Sequence, residues 1–483
     1  MSTIDLAKIG LSNAAITETE LRAIRQLKLD AQKDIGRLAG DIAKLLNQQS
    51  ELLAAVKRYD VALAPHKRLP LEVLRAIMIF VASEPTRIPV IEEGVYAMSH
   101  VCSSWRQLML DTPEIWSNIS INVSRCSDKK MVNKIRIARE WLARAQNYPI
   151  SFTFDGQDMD VPQVNDLIIN YPCRALYLVN PSSQWHGKEY PRLGEASIVT
   201  LETLHLPKDA VLPDALRNKF TLPALKSLSL FDIKDLNVIH TVAPQLHYLR
   251  IQSKQPRSQV LDLLSLCVQL EHCELNIDQN PKKKKPDSSQ SSTTQAVVIH
   301  TLQVLKITFH NGANAPDFLK RLAFRNISSL SLFQTKPDAS LLDLPTVSEL
   351  IARSDGMPHL QSLTIDETKD PFDLKVLLWD TPSLRHLHIN RGVLDDDARD
   401  KLATGGLGAQ LKELYSRHGH EAEAILRMVE SRYQTAMTDQ FNKVVPFSSV
   451  RINGVAASTS ASVAIRNRLQ ELRKMGIDIA FSV

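Results

Sequence analysis

Leu225-Lys226-Ser227-Leu228-Ser229-Leu230 places three leucines at the first, fourth and sixth positions of six residues. Leu228 and Leu230 alternate with Ser227 and Ser229. In a strand, successive side chains point to opposite faces, so this alternation reads as a half-buried strand. The same pattern recurs at Leu201–Leu206, Leu246–Ile251, Leu270–Leu275 and Leu302–Ile307, then at Ile327–Leu332, Leu360–Ile365 and Leu384–Ile389. A weaker copy, Cys173-Arg174-Ala175-Leu176-Tyr177-Leu178, opens the series. The starts lie about 21 to 33 residues apart. Pro-x-Leu lead-ins (Pro223-Ala224-Leu225, Pro244-Gln245-Leu246, Pro358-His359-Leu360, Pro382-Ser383-Leu384) fit a loop turning into each strand.

One short strand cannot bury its leucine face alone. Units of this length must stack so that their faces form a continuous core. The pattern is that of leucine-rich repeats, and it predicts an irregular solenoid over about residues 119–415. The irregularity follows from the missing Asn after the motif, where Phe231-Asp232 follows Leu230. Each buried Leu stabilises by about 1.5–3 kcal/mol, so a charge at Leu228 or Leu305 should break the stack locally. The residues between the leucines should face outward. They include His205, Ser229, Tyr248, Arg250, His272, Glu274, Lys306, His386 and His388, a mixed polar face with an aromatic residue and several charges. Such a face is either a recognition surface or an ordinary solvated one.

Upstream lies Leu69-Pro70-Leu71-Glu72-Val73-Leu74, followed by Arg75 to Val81. Pro65 should stop any helix before it, and Pro70 suits the first turn of the next. Val73, Leu74, Ile77, Phe80 and Val81 recur at helical spacing. Ser83–Pro89 reads as a loop. Gly94–Met109 reads as a second helix with Val95, Met98, Val101, Cys102, Trp105 and Leu108 on one face. Thr112–Trp116 is a last short turn. Three short helices in about 50 residues make a marginal core, steadier when a partner completes it.

Leu-Pro-x-Glu-Val-Leu, an Ile-rich helix, Val101-Cys102-x-x-Trp105-Arg106 and Pro113-x-x-Trp116, in that order, resemble an F-box. This version is similar to the F-box-like domains of fungal proteins that carry a preceding heptad helix and following repeats. Met428–Arg432 and Gly476–Ile479 resemble the tails of the same proteins. The resemblance implies binding to the adaptor subunit of an SCF-type cullin–RING ubiquitin ligase, and through it to a cullin. Leu69 and Pro70 would fit the adaptor groove, and Val73, Leu74 and Ile77 would continue that face. Val101, Cys102, Trp105 and Trp116 would supply the packing of the other helices and part of the contact. Two departures stand out: the long insertion Glu84–Gly94, and the run Ile77–Val81, which shifts the aromatic residue. The resemblance further implies that the repeat face recognises a target protein, through residues such as Tyr248, Arg250, His272, Glu274, Lys306, His386 and His388. The chain would then be a non-enzymatic substrate receptor that acts by proximity. The alternative is a leucine-rich-repeat scaffold whose F-box-like segment has become internal packing, without ubiquitin transfer.

Before Pro65, Thr17 and Glu20 have capping-box spacing, and no Pro interrupts until Pro65. One heptad series is Leu21, Lys28, Ile35, Ile42, Gln49, Val56 and Leu63; the other is Ile24, Ala31, Leu38, Leu45, Leu52 and Tyr59. Only Lys28 and Gln49 are not apolar, so residues 17–64 are expected to form a long coiled-coil helix of roughly 70 Å. Leu27, Ala39, Leu46, Leu53, Ala55 and Ala62 widen its apolar face. The helix could lie against its own chain, pair with a second copy, or take a partner helix.

The expected architecture is thus mixed α and β. A flexible start (1–16) precedes the long helix (17–64), an F-box-like domain (65–118), the repeat domain (119–415) and a C-terminal cap (416–483). In the cap, helices over Glu421–Gln434 and Ala461–Lys474 alternate with strands at Ser448–Ile452 and Ile477–Phe481. Residues 279–296, with Lys282–Lys285 and a Ser/Thr-rich run, read as a disordered insertion. The lysines are either a nuclear import signal or a solvated loop.

The net charge of +5 over 483 residues, with cations spread along the chain, gives no argument for nucleic acid. No run of about 18 apolar residues or basic-then-apolar leader is present, so neither membrane nor secretion is expected. Five scattered cysteines without a Cys-x-x-Cys pair fit reduced thiols in cytoplasm or nucleus. His386-x-His388 and His418-x-His420 lack a further ligand at metal spacing, and Asp158-x-Asp160 and Asp395–Asp397 lack a phosphate loop. No nucleotide, hydrolase or zinc-protease motif occurs. Neither cofactor nor catalysis is expected.

Overall fold

The computed structural model describes residues 15–88, 94–123, 128–156, 162–179, 193–206, 222–231, 233, 235–278, 296–310, 315–335, 342–366, 370–417, 421–439, 443–453 and 463–482. The chain divides into two units, Met1–Ile77 and Met78–Val483.

In the first unit, helix α1 spans Glu18–Leu63. Its capping box is present: the Glu20 amide donates to Thr17 Oγ1 (3.4 Å), and the Thr17 amide donates to Glu20 Oε2 (2.9 Å). Those bonds satisfy amides that a helix start leaves unpaired. The helix ends at Ala64, whose backbone is extended, ahead of a 3₁₀ turn over Pro65–Arg68. No residue of α1 is buried. Helix α2 (Leu71–Val81) follows Pro70 and runs across the boundary between the units.

The second unit is organised by a parallel sheet of 15 strands in which neighbours in space are also successive along the chain. It opens with β1 (Thr86–Ile88), β2 (Asn118–Asn122), β3 (Ile150–Asp155) and β4 (Cys173–Val179). It continues through β5 (Thr203–Leu206), β6 (Ser227–Leu230), β7 (Tyr248–Pro256) and β8 (His272–Asp278). A short strand β9 (Val297–Ile299) stands outside it, and β10 (Val304–His310) rejoins it. Then β11 (Leu322–Phe324) pairs with β9, and β12 (Ser329–Gln334) and β13 (Ser362–Ile365) extend the main sheet. Two-residue strands β14 (Phe372–Asp373) and β16 (Gly392–Val393) pair with each other on either side of β15 (His386–Ile389). The sheet ends with β17 (Glu413–Ser416), β18 (Ser449–Asn453) and β19 (Asp478–Ser482).

The repeat leucines make the core. Leu225, Leu228, Leu246, Leu249, Leu302, Leu330, Leu360, Leu363 and Leu384 are fully buried. The register aligns them strand to strand, Leu204 with Leu228, Leu228 with Leu249, and Leu305 with Leu330. At each strand start, one carbonyl accepts two amides from the next repeat: Lys226 O from His247 and Tyr248, Gln303 O from Ser328 and Ser329, Gln361 O from Arg385 and His386. The backbone itself therefore joins successive units at the start of each of these strands.

Three expectations need correction. Ser83–Pro89 is not simply a loop, because it contains β1, which pairs with β2 through Arg87 and Ser120. Gly94–Met109 is not one helix but two, α3 (Val95–Ser99) and α4 (Ser103–Leu110). Cys102 between them is extended, with φ −159° and ψ 172°. The break falls in Ser99-His100-Val101-Cys102-Ser103, residues of low helix propensity, and the Ser99 hydroxyl donates to Tyr96 O (2.7 Å). The sheet is also longer than the repeat pattern. It starts at Thr86, and β18 and β19 extend it by two strands in parallel register rather than closing it. The helices of that C-terminal part span Ala422–Thr438 and Val463–Lys474, the second ending at Gly476 with φ +86°.

The insertion 279–296, Lys282–Lys285 included, lies outside the described residues except for Ala296, which leads into β9. Residues 1–14, Cys126, Asp158, Asp160, His418 and His420 also lie outside them. No helix among the described residues is long and apolar enough to cross a membrane.

Candidate protein-docking surfaces

The residues between the leucines take the outward side of the sheet, and the register sorts them into rows. One row runs Ser227, Tyr248, His272, Val304, Ser329, Ser362, His386, Glu413. The next runs His205, Ser229, Arg250, Glu274, Lys306, Ser331, Thr364, His388, Tyr415. The seven residues singled out from the sequence fall into two groups. Tyr248, Arg250, His272, Glu274 and Lys306 occupy the adjacent strands β7, β8 and β10. His386 and His388 share β15, three strands beyond β10, or roughly 14 Å at the usual strand spacing.

In the first group the Tyr248 and His272 rings lie 6.3 Å apart, and Arg250 Nε sits 3.0 Å from Glu274 Oε2. Burial raises the Tyr248 pKa, and the Glu274 carboxylate adds to the rise. Lys306 extends over the Phe333 ring, 5.6 Å from its centroid. Ser229, expected on the surface, is 5% exposed, and its hydroxyl has no partner among the described residues. Burial also lowers the pKa of His205, helped by the nearby charge of Arg250.

In the second group His386 Nδ1 lies 3.1 Å from Glu413 Oε2, and the His388 ring stacks on Tyr415 at 3.8 Å. Burial holds His388 below its ordinary pKa, with Asp366 acting in the opposite direction. These residues line a depression of about 520 Å³ that Arg451 and Asp478 complete. Arg451 Nη2 and Asp478 Oδ2 are 3.3 Å apart. Sequence reasoning missed Glu413, Tyr415, Arg451 and Asp478. Their repeats depart from the pattern: the copy at Leu411 ends in the buried Ser416, and the one at β18 opens with Phe447. The signal that could have found them is the alternation in Glu413–Ser416 and Ser449–Ile452.

The segment from Leu69 to Trp116 is divided between the two units, Leu69–Ile77 in the first and Met78–Trp116 in the second. Leu69 (38%), Val73 (43%), Ile77 (41%) and Val101 (50%) are exposed, as is Pro70. Cys102 and Trp105 are half-buried. Leu74 and Trp116 are buried, so they are not free to meet a partner in this conformation. α2 is apolar nearly all round, and spacing alone cannot tell which stripe is buried. The buried stripe is Leu74, Met78 and, just past the helix, Ala82, whereas Val73, Ile77 and Phe80 are exposed. Trp116 takes the place of the first leucine of a repeat: Trp116, Ile119 and Ile121 stand as Leu201, Leu204 and Leu206 do. Its indole donates to Met109 O (2.8 Å), meets the Trp141 ring edge-on (4.7 Å) and carries the Arg144 guanidinium over its face (4.7 Å).

The remaining clusters have structural partners. Asp395 caps the helix Asp396–Thr404 by accepting from the Ala398 amide (2.7 Å), Asp396 pairs with Arg399, and Asp397 pairs with Lys375 and Lys401. The described cysteines are Cys102, half-buried, and the buried Cys173, Cys267 and Cys273, all free thiols. Burial pushes the Cys173 and Cys267 pKa values up to about 12. Among the described residues no group of three His, Cys, Asp or Glu side chains could hold a metal ion. No family model matches the chain, and no curated protein matches it.

Proposed function

We propose that this chain is the substrate-recognition subunit of an SCF-type cullin–RING ubiquitin ligase. In this reading the F-box-like segment binds the adaptor, and the outward face of a leucine-rich-repeat solenoid holds a target protein. The observation that carries the reading is α2. Within the motif-bearing segment, Phe80 is 78% exposed, alongside Val73 and Ile77 on the same side of the helix. A contiguous apolar helix face left in water fits a protein-docking site. The sheet face supplies the second half: outward side chains of both charges with aromatic rings among them, on successively paired parallel strands. Holding the target beside the charged conjugating enzyme raises the effective concentration of its lysines, and no catalytic group is needed.

A second reading, a repeat scaffold without ubiquitin transfer, draws on Trp116, Met109 and Ile115, which are buried, and on β1, which joins the segment to the sheet. The two are separated by mixing the purified chain with purified adaptor subunit. The receptor reading expects a complex, lost in Val73→Asp with Ile77→Asp. Both residues are exposed, so the melting temperature should change little. If the wild-type chain captures no adaptor, the scaffold reading takes its place.

A further inference from the structure

α1 carries an apolar load that its structure leaves in water. Between Ile35 and Val56, Ile35, Leu38, Ile42, Leu45, Leu52 and Val56 are each more than half exposed, from 51% at Val56 to 68% at Leu52. Helices of this kind owe most of their stability to packing of the apolar face. A partner must match a stripe running roughly 70 Å along 46 residues. We propose that the partner is α1 of a second copy of this chain, in a parallel, in-register, two-stranded coil.

Three features of the helix select this arrangement. Ile35, Ile42 and Val56 occupy one seam position, and Leu38, Leu45 and Leu52 the other. β-branched residues at the first and leucine at the second favour parallel dimers over higher assemblies. Second, Gln49 breaks the first series. In a parallel, in-register coil it faces its own copy, and the two amides can bond each other. An antiparallel coil would set it against the apolar second series and leave its amide without a partner. Third, the flanking charges are compatible. Glu20 of one copy meets Arg25 of the other, whereas Asp34, Asp41 and Asp60 meet Ala39, Leu46 and Ala55, so no like charges oppose each other at the flanking positions. Lys33, Arg37, Lys44, Glu51 and Lys57 lie away from the seam, and Arg37 pairs with Asp34 of its own helix (3.6 Å). Lys28 is the one charged seam residue, and like Gln49 it faces its own copy. It lies near the helix start, where its stem packs and its ammonium reaches water.

The dimer does not depend on the adaptor reading. It is closed by a two-fold axis along the coil and carries two copies of the Met78–Val483 unit. Light scattering of the full chain at tens of micromolar should give twice the mass of the 54.2 kDa chain. Ile42→Asp with Leu45→Asp should weaken self-association by about 100-fold or more. Thermal unfolding of the sheet should stay as in wild type, because both residues are exposed. Gln49→Cys, mildly oxidised beside a wild-type control, should give a covalent dimer, because only parallel, in-register pairing brings this position against itself. A monomeric wild-type mass overturns the proposal. A dimer whose Gln49→Cys variant does not cross-link overturns the parallel register, and a trimer or tetramer overturns the two-stranded coil.

Discussion

Among the described residues Arg432 is the largest fully buried side chain, and it is a cation. Its Nε donates to Val445 O (2.8 Å), Nη1 to Leu402 O (2.8 Å), and Nη2 to Gly408, Ala409 and Leu411 carbonyls. The guanidinium also lies over the Phe447 ring at 4.6 Å. Burial lowers its pKa to about 10, which still leaves it charged at neutral pH. Here a fork of fixed donors gathers the carbonyls where the helix Asp396–Thr404 ends and the next strand begins. Lysine cannot reproduce that fork. Arg432→Met keeps the volume and strands the carbonyls, so it should cost about 3 kcal/mol or more, read as a lower denaturant midpoint. Nothing in Met428-Val429-Glu430-Ser431-Arg432 marks this role, because the partners are backbone groups from 13 to 30 residues away.

At the scale of elements, alternate residues of β10 enter the core: Leu305, Ile307 and Phe309 are buried, and the residues between them are not. Leu305 is 1% exposed and pairs in register with Cys273 on β8 and Leu330 on β12, both buried. Leu305→Ala should therefore cost about 2–5 kcal/mol. Lys306→Ala, one residue on but outward, should change stability by about 0.5 kcal/mol or less. A chemical denaturation series on the two variants tests the facing of β10 directly. Equal losses would mean that the strand's two sides are not distinguished. The C-terminal helices add a polar tie, with Arg468 donating to Glu430 through two nitrogens (2.8 and 2.6 Å) and to Glu423 (2.6 Å). The Glu430 bonds, more than any other influence, raise the Arg468 pKa.

Across the whole molecule, protonation links the outward face to stability. Burial, the largest influence in each case, holds His205, His310 and His388 below their ordinary pKa. The unfolded chain therefore binds more protons than the native one below about pH 6.5. Their contribution is fully present above that value and is lost as pH falls through the lower native values. The melting temperature should drop between pH 7.5 and pH 5, and His388→Gln should make the drop smaller. An unchanged drop in that variant would show that His388 is not among the groups responsible.

The sequence by itself determined the repeating strand, its inward leucines and the alternation that puts Tyr248, Arg250, His272, Glu274, Lys306, His386 and His388 on the outer face. It also determined α1 with its capping box. These features are local: a period of two or of three and a half is written in neighbouring residues. Only the tertiary structure decided where the sheet begins and ends. β1 is three residues long, so pairing rather than pattern makes it a strand, and only pairing shows that the strands read at Ser448–Ile452 and Ile477–Phe481 continue the same sheet. Only the tertiary structure placed Trp116 and Leu74 inside and left Val73, Ile77 and Phe80 outside. A helix apolar on every side carries no preference for one stripe, and the choice falls to whichever neighbours cover it.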